Sequence, residues 1–107
     1  MAFHTHNPAL LKELDAMMSD FPEAQAGKLF GFPGYKVAGK MAVCVHEDGL
    51  LLKLGAARAQ ELIGTPGIAA FAAQENRPWK DWIKVTGKLA DYRGLIEESL
   101  KYVAESA

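Results

Sequence analysis

Two tryptophans, Trp79 and Trp82, stand among cations in the segment RPWKDWIKV at 77–85, the stretch whose residue types are best suited to binding. In an extended strand alternate residues share a face, so Trp79, three positions before Trp82, is expected to turn inward with Ile83 and Val85. Lys80, Trp82 and Lys84 then line the other face, an aromatic ring between two cations, with Arg77 beside them. Such a face suits an anionic or nucleotide-like ligand, or a protein hot spot. The plainer alternative is that a helix covers Trp82 and the lysine stems snorkel around it.

A second pair, Cys44 and His46, lies two residues apart and so shares a face of one strand, which is what a thiolate and its base require. No third, orienting residue can be assigned, and a cysteine more often serves as a small buried hydrophobe. His4 and His6 resemble two metal ligands but lack a third nearby, at a terminus that is expected to fray. Gly31, Gly34 and Gly39 form neither a GxGxxG nor a Walker pattern and precede strands, so they read as turn residues. Glu47 and Asp48 fall at a hairpin tip, where water stabilises their charges. These readings imply no catalytic residue, no metal and no cofactor.

The chain has 107 residues, one domain's worth at 1–107, with half of them hydrophobic and 23% charged. Twelve basic and 13 acidic side chains give a formal net charge of −1. No overall field therefore draws the chain onto phosphate, and DNA binding is possible but not favoured by net charge. One cysteine excludes an internal disulfide and a cysteine-based zinc site, and fits a reducing cytoplasm. No basic leader or long apolar run marks a signal peptide or membrane span.

The elements that must position these residues follow from period and punctuation. Asn7-Pro8 is a cap and first turn, and Leu10, Leu14, Met17 and Phe21 then recur on one helical stripe that should end near Asp20, before Pro22. From Lys28 to Leu54 apolar runs alternate with Gly-centred turns. A strand at 28–30 is expected, then a turn through Gly31, Pro33 and Gly34 into 35–37. Strand 40–46 should place Met41, Val43 and Val45 opposite Ala42, Cys44 and His46, and Asp48-Gly49 is a hairpin signal. Leu50, Leu52 and Leu54 face away from Leu51 and Lys53.

A short helix over 56–63 is stopped by Gly64, and the apolar piece 66–73 reads as one or two helical turns packed under the sheet. Residues 74–77 form a connection, 81–86 a strand, and 91–104 a last helix with Tyr92, Leu95, Ile96, Ser99, Leu100 and Val103 inside. The fold class is α+β, an antiparallel sheet of about five strands with N- and C-terminal helices packed on it.

The stretch LFGFPGYKVAGKMAVCVHEDGLLLKL, followed by a helix and RPWKDWIKV, resembles the N-terminal domain of the TfoX/Sxy family from about Phe21 to Val85. Members typically show Met-Phe-Gly-Gly, Gly-Lys-Met, Asp-x-Leu-x-Leu-Lys and Arg-Pro-Met-Lys-x-Tyr/Trp. Here the matching positions are Leu29 to Phe32, Gly39 to Met41, Asp48 to Lys53 and Arg77 to Trp82. Phe32 replaces the usual second glycine, Ala42 a common aromatic and Trp79 the methionine. The MmcQ/YjbR group, small domains suspected of DNA binding, is similar at a greater distance.

The resemblance implies a bacterial, non-enzymatic α+β domain of competence-type transcription regulation. Its partner would be a protein of the transcription machinery or a regulator. The alternatives from the residues are nucleic-acid binding through Arg77, Lys80, Trp82 and Lys84, with Lys36, and a ligand carrier or enzyme using Cys44 and His46.

Overall fold

The computed structural model describes residues 7–29, 31–74 and 77–106, with backbone alone at 72–74, 77 and 78. His4 and His6 and the tip of the connection expected at 74–77 lie outside the described residues.

Helix α1 spans Pro8–Met18. Asn7 caps it, its side-chain oxygen accepting from the N–H groups of Ala9 at 2.9 Å and Leu10 at 3.3 Å. The same residue donates to Asp48 Oδ1 and, from its backbone, to the Glu47 carbonyl. The cap therefore also fastens α1 to a hairpin tip.

The strands are β1 (Gln25–Leu29), β2 (Phe32–Val37), β3 (Lys40–His46), β4 (Gly49–Lys53), β5 (Ile68–Gln74) and β6 (Arg77–Val85). They form one sheet in the order β1-β2-β3-β4-β6-β5, and every pairing is antiparallel. Helix α2 (Ala56–Leu62) links β4 to β5, and a 3-10 turn (Leu89–Tyr92) leads into α3 (Arg93–Ser106).

All three helices pack on one face. Leu14 and Met18 of α1, Ala59 of α2, and Ile96, Leu100 and Val103 of α3 meet Val43, Val45, Leu50, Leu52, Ile83 and Val85 of the sheet. This is the α+β architecture expected from the sequence, with six strands. Among the described residues no helix is long and apolar enough to cross a membrane.

Four local expectations are corrected. Pro33 and Gly34 belong to β2, opposite Lys28 and Gly27, and of these three residues only Gly31, with φ of 87°, holds the left-handed turn conformation. Gly34 is needed for closeness, since a methyl group on it would come within 2.1 Å of the Val43 carbonyl oxygen. Pro33 has a ladder neighbour on the β1 side alone, so its missing N–H is tolerated.

In β3 the alternation breaks. Tyr35 faces Val43 but Lys36 faces Met41, so Ala42 is an extra residue, a β-bulge. Ala42 and Val43 both sit in the helix-side core, while Met41 joins Cys44 on the opposite side. A bulge leaves backbone groups outside the ladder, and here buried Ser99 of α3 bonds the Ala42 carbonyl at 2.9 Å and the Lys53 carbonyl at 2.8 Å.

The piece expected to be helical at 66–73 is instead β5, an edge strand. Its run Ile-Ala-Ala-Phe-Ala-Ala has no readable period, and pairing with β6 overrides alanine's weak helical preference.

Finally, Trp79 does not follow Ile83 and Val85 inward. Between Ala70 and Ala72 of β5 the facing positions on β6 jump from Ile83 to Pro78, and this irregularity brings Trp79 to the side of Trp82.

Candidate functional site on the open sheet face

The face of the sheet opposite the helices carries its own hydrophobic cluster. Cys44, Leu51 and Trp82 are buried there beneath half-buried Leu29, Phe32, Met41, Phe71 and Trp79. None of the described helices lies on this side, so the burial comes from side chains of the strands closing over one another.

The rings form a continuous chain. Phe32 lies against His46 with centroids 4.6 Å apart, and His46 meets Phe71 at 5.1 Å. Phe71 packs edge-on against Trp79 at 5.2 Å, and Trp79 against Trp82 at 5.5 Å. These distances and tilts are those of favourable aromatic pairs, so the cluster is a packed floor. Leu29, Trp79, Lys80, Asp81 and Trp82 border a shallow hollow at one end.

The expected binding residues reach this face unequally. Lys80 is exposed and Trp82 is 9% exposed. Lys84 is engaged, donating to Glu47 Oε1 at 2.7 Å and contacting His46 Nδ1 at 3.1 Å. Its hydrogen bond and charge hold the Glu47 carboxyl below the usual carboxylate range. Arg77 lies in β6, and its side chain falls outside the described residues.

Two further cations border the floor. Lys53 shares the face of Leu51, and the Lys36 stem lies over Gly27, where a methyl group would come within 2.5 Å of Cε. Lys36 had been legible as a possible contact, but Lys53 was missed although its parity with Leu51 was readable. Phe32, Met41 and Phe71 were missed because only the register and the bulges place them here.

Charge is segregated between the layers. The strands hold Lys28, Lys36, Lys40, Lys53, Arg77, Lys80 and Lys84 against one carboxylate, half-buried Asp81. On the helical side Arg58 pairs with Glu98 and Glu61, and Arg93 with Asp20. Lys36, Lys53 and Lys80 have no such partner among the described residues. A net charge of −1 thus conceals a basic sheet and an acidic helical layer.

Cys44 and His46 do share this face, as their spacing requires, but in surroundings that oppose nucleophilic chemistry. Cys44 is 0% exposed, and burial pushes its thiol up to about 12. It is therefore a thiol at neutral pH, a poor nucleophile. The His46 imidazole is lowered by burial and then by the Lys84 charge. Among the described residues no three His, Cys, Asp or Glu side chains cluster to hold a metal.

No family model matches the chain, and neither the curated proteins nor the solved structures provide a match.

Proposed function

We propose that this chain is a non-enzymatic interaction domain of the TfoX N-terminal type, which works by contacting a protein partner through its open sheet face. The observation carrying the reading is the aromatic floor of Phe32, Phe71, Trp79 and Trp82 on the side of the sheet that no described helix covers. Aromatics and methionine at a centre with charged residues at the rim are the composition of protein hot spots. The motif resemblance supports a role in transcription regulation of the competence type, in a bacterial cytoplasm.

A second reading, nucleic-acid binding through Lys80, Trp82 and Lys84, is favoured by the basic charge of the strands.

Site-specific photo-crosslinking in the native cell tests the first reading. A crosslinker placed at Lys53 or Lys80 should capture one common protein, and a crosslinker at Gln60 or Glu97 on the helical side should not. Equal capture from both sides, or capture of nucleic acid alone from the sheet side, would overturn it.

A further inference from the structure

We infer that the partner segment seated on the open sheet face is an acidic stretch of a different protein, with carboxylates flanking one or more apolar side chains. The inference rests on the interaction reading above and adds the chemistry of the partner. Lys36, Lys53 and Lys80 border the aromatic floor without an ion-pair partner among the described residues, and the strands that carry them hold seven cations against one carboxylate, Asp81. Carboxylates arriving at the rim meet those ammonium groups, and apolar side chains between them reach the rings.

Charge also argues against a second copy. A symmetric face-to-face pair would set one basic face against another, and like charges across an interface are strongly unfavourable. A sheet face docked on another copy's acidic helical layer is a head-to-tail contact, which propagates and does not close into a dimer.

The rings distinguish protein from nucleic acid. Bases stack on open aromatic planes, but here Phe71 meets Trp79 edge to face at 78° and Trp79 meets Trp82 at 57°. Planes engaged with one another form a surface for side chains more readily than a row of stacking plates.

The test is to pan a random dodecapeptide library against the full chain, with the Lys53→Glu/Lys80→Glu double variant as comparison. Lys80 is exposed and Lys53 half-buried, and circular dichroism checks that the variant is folded. Enriched peptides should be acidic with apolar or aromatic residues, should weaken in high salt, and should bind the double variant about tenfold less tightly. Face-dependent peptides that are neutral or basic would overturn the inference and leave the interaction reading standing. A library yielding no face-dependent peptide would overturn both. Displacement of the selected peptides by oligothymidylate at lower concentration than by free peptide would assign the face to nucleic acid instead.

Discussion

Trp79 and Trp82 share one face of β6 with ring centroids 5.5 Å apart, although they stand three positions apart in sequence. A regular strand would send them to opposite faces. The register irregularity against β5 reverses Trp79 and completes the aromatic floor.

The two rings should therefore differ in structural weight. Trp82, 9% exposed, is the buried member, and Trp82→Ala is expected to destabilise by about 3 to 5 kcal/mol. Half-buried Trp79 removes less apolar surface from water, and Trp79→Ala should cost about 1 to 2 kcal/mol. Urea unfolding of both variants measures the difference. Equal losses would mean that Trp79 is core.

Ser99 fastens α3 to the sheet at the β3 bulge. Ser99→Ala leaves the Ala42 and Lys53 carbonyls without this donor and should destabilise by about 1 to 3 kcal/mol, lowering the melting temperature by several degrees. A melting temperature equal to that of the unsubstituted protein would show that the bulge needs no partner.

His46 makes stability pH-dependent in a definite direction. Burial first and Lys84 second hold its imidazole below the usual 6.5, opposed by Glu47. A depressed folded value means that its contribution is present above about 6.5 and is lost as pH falls through the lower folded value. Protonation of Nδ1 also ends its acceptance of the hydrogen bond from Lys84, 3.1 Å away. Unfolding free energy should drop as pH falls below about 6.5, and His46→Gln should flatten that drop. The lowered Glu47 acts further down, below its usual 4.5. A slope unchanged in His46→Gln would place the titration elsewhere.

Cys44 should be inert while the protein is folded. With 0% exposure and a thiol near 12, alkylation by iodoacetamide at mild alkaline pH is expected only after unfolding in urea. Rapid modification of the native protein would reopen the chemistry that its spacing from His46 permits.

Much of the scaffold was legible because strong local signals agreed. Asn7-Pro8 started α1, the stripe through Ile96, Ser99, Leu100 and Val103 faced inward, and Leu50, Leu52 and Leu54 parted from Leu51 as alternation requires. The misses share one physical origin. Alternation holds only where pairing is regular, and Ala42 in β3 and the segment at 78–83 in β6 are irregular. β5 failed differently, since alanines carry no period and the strand exists because β6 pairs with it.

The site was half legible for the same reasons. Lys80, Trp82 and Lys84 do lie in one strand, but Lys84 is tied to Glu47 across the sheet, a contact from residues 37 apart that no local pattern announces. The rest of the floor, Phe32, Met41, Phe71 and Trp79, depends on cross-strand register.

Both tryptophans of the chain stand on the open face, so they report on that face alone. Labelling this protein with 5-fluorotryptophan gives two fluorine resonances that stay separate from any signal of an unlabelled partner. On addition of the protein captured by the sheet-side crosslinkers, both resonances should shift or broaden. A complex that forms, as judged by sedimentation, while both resonances stay unchanged would contradict the assignment of this face as the working surface.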